Sequence, residues 1–212
     1  MKTFDFIIVG GGTSGTVTAE KLINNGFSVL IIEEGGKNSN PILSMPAGWI
    51  SMLDGSPYLK FYKSIPQPQL ENRQHDIAQA KLFGGGSSVN AMVYMRGKPS
   101  DYNSWVEATG DKRWGWDSLI QNYKRLENNQ RLGGKYHGTS GPIKVSDPGY
   151  VAKGSDLYMK AMQNLGLPYN RDFNNGAQYG VGLMQYTISD GKRCDTISSI
   201  ISPILNLSLI HI

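Results

Sequence analysis

The chain has 212 residues, of which 39% are hydrophobic and 18% are charged, a composition typical of a globular protein rather than of a disordered or fibrous one. Its formal net charge is +4 with lysines and arginines scattered along the sequence, so no concentrated basic patch predicts a nucleic-acid partner. No stretch approaches the roughly 20 apolar residues that a membrane span requires, and we expect no transmembrane segment, no signal peptide and a cytoplasmic location. The one cysteine, Cys194, excludes an internal disulfide, and no cluster of cysteine and histidine predicts a metal site.

The N-terminal segment has the pattern of a strand, a glycine-rich turn, a helix and a second strand. Residues 4–9 are a short apolar run that predicts the first strand, residues 16–24 carry apolar positions at helical spacing, and residues 28–32 predict the second strand. The turn reads GGGTSG, and three of its glycines satisfy the pattern G-x-G-x-x-G: Gly10, Gly12 and Gly15. Glu33 stands at the end of the second strand, 18 residues after Gly15.

This pattern predicts a binding site for a dinucleotide. Gly10 permits the tight turn, Gly12 lets a pyrophosphate approach the backbone, and Gly15 lets the helix pack closely on the strand. The N–H groups at the start of the helix then face the phosphates, and Glu33 accepts hydrogen bonds from a ribose diol. Glu34, next to it, is interpreted as a solvated residue at a strand end. This segment alone leaves NAD and FAD both open.

A second glycine cluster lies within residues 80–103, which read AKLFGGGSSVNAMVYMRGKPSDYN. Three glycines and two serines offer backbone and hydroxyl donors, and Val89, Ala91 and Val93 then alternate with Asn90, Met92 and Tyr94. The functional interpretation is a second backbone cradle for a flavin dinucleotide. The alternative, a glycine-rich loop before an edge strand, fits the spacing equally well.

The second cluster resembles the first signature of the glucose-methanol-choline (GMC) oxidoreductases, a family of FAD-dependent enzymes that oxidise alcohols. The positions that carry the resemblance are Ala80, Lys81, Gly84, Gly85, Gly86, Ser87, Val89, Asn90, Tyr94 and Gly97. Three further segments resemble the family in the same order along the chain: IPQPQLENR at 65–73, YHGTSGPIKVSDP at 136–148 and DFNNGAQYGVGLMQYTISDGKRC at 172–194. Phe83, Lys60 and Asp195 depart from the residues that many members carry. The chain looks most similar to choline dehydrogenase-like and acceptor-dependent alcohol dehydrogenase members.

The resemblance implies an α/β fold: a Rossmann-like FAD-binding domain, incomplete in this chain, with the beginning of a substrate domain of antiparallel strands. It assigns residues 1–140 to the FAD-binding core and flavin-covering loops, 141–190 to the start of the substrate domain, and 191–206 to a truncated return to the FAD-binding domain.

The last six residues, LSLIHI, equal the translation of CTG TCT CTT ATA CAC ATC, which occurs in transposon adaptors for sequencing libraries. We therefore expect 207–212 to be a non-native tail.

The function implied by the resemblance is FAD-dependent oxidation of a small-molecule alcohol by hydride transfer to the flavin. The residues that it implies for binding the ADP half of the cofactor are Gly10, Gly12, Thr13, Ser14, Gly15 and Glu33. Those that it implies for the pyrophosphate, the ribityl chain and the flavin ring are Gly84, Gly85, Ser87, Ser88, Asn90, Ala91, Met92 and Val93. It implies no metal.

No catalytic residue is predicted within this chain. The acid/base histidine of the family lies in the C-terminal part of a chain more than twice this length, and the histidines here are interpreted otherwise. His75 lies in a polar loop, and His137 belongs to the HGxxGP turn, where we expect a structural role. Cys194 is interpreted as an inert thiol. We expect the chain alone to be inactive, poorly soluble and at most weakly FAD-retaining, because apolar faces of an incomplete sheet stay open.

Two alternatives remain open for the function. A nicotinamide-dependent dehydrogenase would share the first strand–helix–strand unit, and its cofactor would differ from a flavin in absorbance. A non-redox lyase of the same family, or an inactive remnant, would keep the flavin site, and a substrate assay would distinguish it from an alcohol-oxidising enzyme.

Elsewhere, residues 116–128 predict a helix whose aromatic side chains serve core packing.

Overall fold

The computed structural model describes residues 2–52, 55–207 and 209–212. Ser208, in the predicted non-native tail, and Met1, at the start of the predicted first domain, lie outside the described residues, as do Leu53 and Asp54. The helices and strands in chain order are β1 (Phe6–Val9), α1 (Thr13–Ile23), β2 (Val29–Ile32), α2 (Pro41–Ser44), β3 (Leu59–Lys63), β4 (Asp76–Ala80), β5 (Val93–Tyr94), α3 (Pro99–Thr109), α4 (Trp116–Leu126), β6 (Glu127–Asn129), β7 (Ile143–Val145), α5 (Lys153–Asn164), β8 (Gln185–Tyr186), β9 (Ile188–Ser189), β10 (Lys192–Arg193) and β11 (Ile210–His211).

The chain divides into two compact units. The first unit comprises Met1–Ala91 and Lys192–Ile212, and the second unit comprises Met92–Gly191. The glycines of both predicted binding loops belong to the first unit, whereas the HGxxGP turn belongs to the second. The domain limits predicted from the sequence, at residues 140 and 190, stay predictions.

The first unit is built around a small parallel sheet in the strand order β1-β2-β11. β1 pairs with β2 in the register Phe6↔Val29 to Val9↔Ile32, and Ile210 of β11 pairs with Val29 on the other side of β2. α1 connects β1 to β2, and a helical connection of this kind is what two parallel neighbouring strands need. The core beneath consists of Ala19, Ile23, Val29, Ile31, Phe83, Ile201 and Ile210. This arrangement is the predicted Rossmann-like α/β fold in incomplete form.

α1 begins at Thr13, three residues before the start predicted from hydrophobic spacing. The first turn consists of Thr13, Ser14 and Gly15, which carry no apolar side chain, so periodicity gives no signal there. The helix ends at Ile23, and Gly26 follows it with φ +86°, a left-handed glycine of the kind that often follows the end of a helix.

One edge of the sheet carries exposed apolar side chains. β1 lies at the end of the strand order, and Ile7 and Val9 are 61% and 84% exposed. The β1 sequence FIIV is a continuous apolar run, which is typical of a strand that is covered on both faces. This exposure agrees with the expectation that the sheet is incomplete in these residues.

The second unit is a mixture of helices and short strand pairs. β5 pairs with β8 in antiparallel orientation, and β6 pairs with β7 in parallel orientation. The helix predicted over residues 116–128 ends at Leu126, because Glu127–Asn129 forms β6 beside β7 instead. Pairing between residues far apart in sequence therefore overrides local helix propensity at this end.

α5 has 12 residues. Across the described parts of the chain, no helix combines the length and the apolar character needed to cross a bilayer.

Candidate cofactor site

The turn between β1 and α1 leaves the start of the helix open. Gly10 has φ +97°, a left-handed conformation that favours glycine. Gly12 is the N-cap residue, with φ −78° and ψ −169°, and having no side chain it makes no side-chain cap hydrogen bond. The first N–H groups of α1 are therefore left for a ligand or water, and together with the helix dipole they favour an anion.

Gly15 is required by the close packing of this turn. A Cβ atom at position 15 would lie 2.1 Å from the carbonyl oxygen of Gly10 and 3.2 Å from Cγ2 of Ile8. Any side chain would push α1 away from β1. The packing reason proposed for this glycine from the sequence pattern agrees with the observed geometry.

The side-chain carboxylate of Glu33 accepts hydrogen bonds from the backbone of the turn. Oε2 of Glu33 accepts a hydrogen bond from the N–H of Gly11 at 2.7 Å, and Oε1 accepts one from the N–H of Gly35 at 2.8 Å. The pattern-based prediction gave this carboxylate a ribose contact and missed its role in the loop. Each carboxylate oxygen has a second lone pair, so the predicted ribose contact stays compatible with this role.

The two glycine clusters are in direct contact. The N–H of Gly84 donates to the carbonyl oxygen of Gly11 at 2.8 Å. A Cβ at Gly85, whose φ is +55°, would lie 2.6 Å from Cα of Gly12. The ring of Phe83 covers Gly11, where an added Cβ would lie 2.4 Å from Cδ2 of the ring. Main chain from two distant parts of the sequence therefore meets at one place.

The serines of the second loop are bonded within the chain. Gly85–Ser88 forms a short 3-10 helix, and Oγ of Ser87 donates to the carbonyl oxygen of Gly84 at 2.7 Å. Oγ of Ser87 also accepts from the N–H of Thr196 at 3.2 Å. Ser88 is fully buried, and its hydroxyl donates to Oδ2 of Asp195 at 3.3 Å. These hydroxyls shape the loop, and their predicted contacts with a cofactor stay predictions.

A hydrogen-bonded group of Asn38, Ser88 and Asp195 lies beneath this loop. The sequence did not predict it. Nδ2 of Asn38 donates to Oγ of Ser88 at 2.9 Å and to Oδ2 of Asp195. Oδ1 of Asp195 accepts from the N–H of Ser198 at 2.7 Å. Asp195, which departs from the family pattern, therefore ties the loop to two other segments of the first unit.

The remaining predicted residues divide between the two units. Asn90 is exposed and Ala91 is the last residue of the first unit. Met92 and Val93 belong to the second unit, where Val93 lies in β5 opposite Tyr186. Met92 is 3% exposed with φ +61°, and its carbonyl oxygen accepts from the N–H of Thr187 at 2.9 Å.

His137 lies in a buried ion network in the second unit, which consists of Arg96, Glu127, His137 and Asp172. Nδ1 of His137 is 2.9 Å from Oε1 of Glu127, and Nε2 is 3.0 Å from Oδ2 of Asp172. Nη2 of Arg96 donates to Oε2 of Glu127 at 2.6 Å. Both ring nitrogens of His137 are engaged, which agrees with the structural role predicted for it.

The charges of this network stabilise one another. Burial alone would lower the pKa of His137, but its hydrogen bonds to Asp172 and Glu127 outweigh burial and raise the pKa to about 8. Burial would raise the pKa of Glu127, and hydrogen bonds from His137 and Asn129 with the charge of Arg96 lower it instead. The pKa of Asp172 is lowered in the same way against the effect of burial, chiefly by His137. His137 is thus held as a cation at neutral pH.

A glycine turn at a helix start, in contact with a second glycine loop beside a parallel sheet, defines a dinucleotide-binding oxidoreductase domain of Rossmann-like type. The chain belongs to the GMC oxidoreductase family, whose model matches residues 4–210.

Curated relatives and solved structures agree with this assignment. The chain is 36% identical over 206 residues to an alcohol dehydrogenase [acceptor] of Pseudomonas putida, which covers 96% of this chain and 37% of that protein. It is 34% identical over 202 residues to an oxygen-dependent choline dehydrogenase of Rhizobium etli, covering 95% of this chain and 37% of that protein. The crystal structure of pyridoxine 4-oxidase from Mesorbium loti superposes with a TM-score of 0.92 at 33% identity, covering 99% of this chain and 42% of that chain. The chain thus spans less than half the length of these relatives.

The N-terminal region of this family is its FAD-binding domain. The residues present fit this cofactor in two respects. The helix start that would receive the pyrophosphate has a glycine N-cap without a capping side chain, and a Cβ at Gly85 would collide with Gly12. Both loops therefore present main chain without a covering side chain, as a backbone that binds a dinucleotide closely requires.

Proposed function

We propose that this chain forms the FAD-binding part of an enzyme that oxidises a small-molecule alcohol. The observation that carries the proposal is the contact between the two glycine loops, in which the N–H of Gly84 donates to the carbonyl oxygen of Gly11 at 2.8 Å. A nicotinamide dinucleotide site calls for the first loop only. A second loop of glycines at the same place supports a flavin dinucleotide. The relatives named for dehydrogenation of an alcohol or of choline support the substrate class.

In this proposal the first loop holds the ADP half of FAD. Backbone N–H groups at the start of α1 bind the pyrophosphate, and the helix dipole favours its negative charge. Glu33 orients the turn and accepts from the ribose. The residues assigned to this half are Gly10, Gly12, Thr13, Ser14, Gly15 and Glu33.

The second loop is proposed to hold the rest of the cofactor, from the pyrophosphate through the ribityl chain to the flavin ring. The residues assigned to it are Gly84, Gly85, Ser87, Ser88, Asn90, Ala91, Met92 and Val93. When bound, FAD supplies a two-electron acceptor for the hydride that leaves the carbon of the alcohol. The protein's contribution in these residues is to bind and orient it.

We place the base that takes the hydroxyl proton outside the 212 residues. His137 is buried with both ring nitrogens in ion pairs, His75 is exposed on a loop, and His211 pairs with Leu30 in the sheet. We also propose a small-molecule alcohol and an electron acceptor as partners and a cytoplasmic location, which the lack of a second cysteine supports.

The proposal is tested on the source DNA and on the protein that it encodes. Reading the codons from 207 onward shows whether LSLIHI is adaptor sequence and whether a longer frame follows. The longer protein is then purified, and its bound cofactor is identified from the visible absorbance of the released material. We expect a bound flavin that is reduced when alcohols are added. A bound nicotinamide, or a protein without cofactor, would contradict the proposal, and a flavin that no alcohol reduces would favour a non-redox role.

A matched pair of glycine variants tests the site itself. Gly85→Ala places a Cβ against Gly12, whereas Gly36→Ala meets nothing within 4 Å. We expect Gly85→Ala to lose bound flavin and Gly36→Ala to retain it. Equal flavin content in the two variants would contradict the assignment of the loops.

A further inference from the structure

The carboxylate of Asp195 joins the second glycine loop to the helical segment Ile197–Ile201. Its Oδ2 accepts from the hydroxyl of Ser88 at 3.3 Å and from Nδ2 of Asn38. Its Oδ1 accepts from the N–H of Ser198 at 2.7 Å and from the hydroxyl of Ser198 at 2.8 Å. One carboxylate oxygen therefore bonds to the loop and its neighbour Asn38, and the other bonds to the helical segment.

The buried charge of Asp195 is balanced by hydrogen-bond donors. Asp195 is 6% exposed, and in the described parts of the chain no lysine, arginine or histidine lies within ion-pair distance of it. Burial of a carboxylate is costly unless such donors replace its water. A carboxylate can accept hydrogen bonds at two oxygens at once, so the connection between the loop and the helical segment is the feature that aspartate provides here.

The side chain of Ser88 is engaged inside the chain. The residue has 0% exposure. Its hydroxyl donates to Asp195 and accepts from Nδ2 of Asn38 at 2.9 Å. Any effect of this hydroxyl on a cofactor would therefore pass through the shape of the loop.

Two sets of hydrogen bonds hold the second glycine loop. The N–H of Gly84 donates to the carbonyl oxygen of Gly11 in the first loop at 2.8 Å, and Ser88 is bonded to Asp195. These two ends of the loop are packed together, because a Cβ at Gly84 would lie 2.2 Å from Oγ of Ser88. A displacement of Ser88 is therefore transmitted to Gly84 and to the contact between the two glycine loops.

We propose that Asp195 is a positioning residue for FAD: through Ser88 and Asn38 it holds the second glycine loop in the conformation that meets the first loop before the cofactor binds. Ordering a loop on binding costs free energy, and a loop that is ordered beforehand avoids that cost. This inference rests on the proposed function, because it names a residue that prepares the same site. Asp195 lies 107 residues from Ser88.

The experiment uses the longer FAD-binding protein, stripped of cofactor, and measures the dissociation constant of FAD by quenching of flavin fluorescence. The melting temperature of the cofactor-free protein and the visible circular dichroism of the bound flavin are recorded for the same variants. Ser88→Ala and Ser198→Ala are a matched pair, because each removes one hydroxyl that donates to Asp195, at Oδ2 and at Oδ1 respectively.

A second pair of variants changes the contact between positions 38 and 195. Asn38→Asp places a second carboxylate against that of Asp195. Adding Asp195→Asn to Asn38→Asp exchanges the two residue types, so that the contact again has one amide donor and one carboxylate acceptor.

We expect Ser88→Ala to weaken FAD binding about fivefold or more and Ser198→Ala to bind within about twofold of the parent. Asn38→Asp should weaken binding about tenfold or more, because two like charges meet beneath the loop. The exchange variant should recover most of the affinity and the flavin circular dichroism of the parent, since the two substitutions act on one contact.

FAD binding within about twofold of the parent in Ser88→Ala would overturn the inference. Equal losses of affinity in Ser88→Ala and Ser198→Ala would also overturn it, because Asp195 would then act on the fold as a whole. A loss in Ser88→Ala without a loss in Asn38→Asp would assign the hydroxyl a direct cofactor contact instead.

An exchange variant that keeps the full loss of Asn38→Asp would likewise contradict the inference. If Asn38→Asp does not fold, the matched serine variants decide alone. A parent protein that binds no FAD would overturn the proposed function and this inference together, whereas a parent that binds FAD without any effect of Ser88→Ala would overturn this inference only.

Discussion

The first unit surrounds its candidate site with main chain, whereas the second unit fills its interior with charged side chains. At the glycine loops, hydrogen bonds run from backbone to backbone, as between Gly84 and Gly11, and no side chain caps the helix start at Thr13. In the buried ion network, Glu127 is fully buried and receives hydrogen bonds from Arg96 and from the N–H of Gly138.

This difference distinguishes a site that is prepared for an external charge from one whose charges are matched internally. An open helix start gains its partner only when an anion binds. A buried carboxylate between a guanidinium and an imidazolium already has its partners, and removing it would leave two buried cations unpaired. In the second unit, the buried titratable groups of this network are therefore matched by one another.

The largest expected effect comes from breaking the buried ion network. Glu127→Gln removes the charge that faces both Arg96 and His137, and we expect the free energy of unfolding to fall by about 3 kcal/mol or more. Glu107→Gln, on the exposed surface of α3, is the control and should change little. Urea unfolding followed by tryptophan fluorescence measures both, because Trp105, Trp114 and Trp116 lie in the second unit. Equal stability of the two variants would show that the network is not stabilising.

The next effect is at the turn of the first unit. Gly15→Ala places a Cβ 2.1 Å from the carbonyl oxygen of Gly10, and we expect a loss of about 2 kcal/mol in the free energy of unfolding together with loss of FAD retention. Gly149→Ala, at a position with no atom within 4 Å of the added Cβ, should be neutral. Retention of the cofactor by Gly15→Ala would contradict the packing argument.

The dependence of stability on pH should reveal the contribution of protonated His137 to the free energy of unfolding. Its pKa is raised from 6.5 to about 8 in the folded chain, so its contribution is full below about pH 6.5 and is lost as the pH rises through 8. The pKa values of Glu127 and Asp172 are lowered, so their contributions are lost at acidic pH. A shift of this size corresponds to about 2 kcal/mol at most.

We therefore expect the melting temperature of the second unit to fall between pH 6.5 and 9, and His137→Asn to lack this fall. His75→Asn, at an exposed loop position, should keep it. An identical alkaline profile in His137→Asn and the parent chain would mean that another group titrates there.

The smallest expected effect is a difference in stability and FAD binding between variants of two neighbouring glutamates, Glu33 and Glu34. Glu33 accepts from the N–H groups of Gly11 and Gly35, so Glu33→Gln should cost about 1 kcal/mol in the free energy of unfolding and weaken FAD binding. Glu34 pairs with Lys60 and Lys81 on the surface, with its side chain 64% exposed, and Glu34→Gln should be nearly neutral. Chemical denaturation and FAD titration compare the two. A larger effect at Glu34 would contradict both interpretations.

Local sequence predicted the βαβ unit, the turn glycines and the family, because each rests on short spacings along the chain. Sequence spacing did not predict the role of Asp195 or Asn38, since the hydrogen bonds that join them to each other and to Ser88 span 50 to 157 residues and no local pattern marks them. The helix predicted to residue 128 was wrong at its end, because β7 pairs with residues 127–129. The non-native origin of 207–212 stays a prediction, although Ile210 is 6% exposed and β11 pairs with β2.

The sequence by itself determined where main chain is left uncovered: at Gly10, Gly12 and Gly15, and again at Gly84 and Gly85. The lack of a side chain is a local property of glycine, and the conformational freedom that it gives the backbone follows from the residue type alone. Only the tertiary structure decided that these two places meet and that His137 is enclosed between two carboxylates. Hydrogen bonds and ion pairs depend on distances of a few ångströms between atoms, and those distances are set by the packing of segments that are remote in the chain.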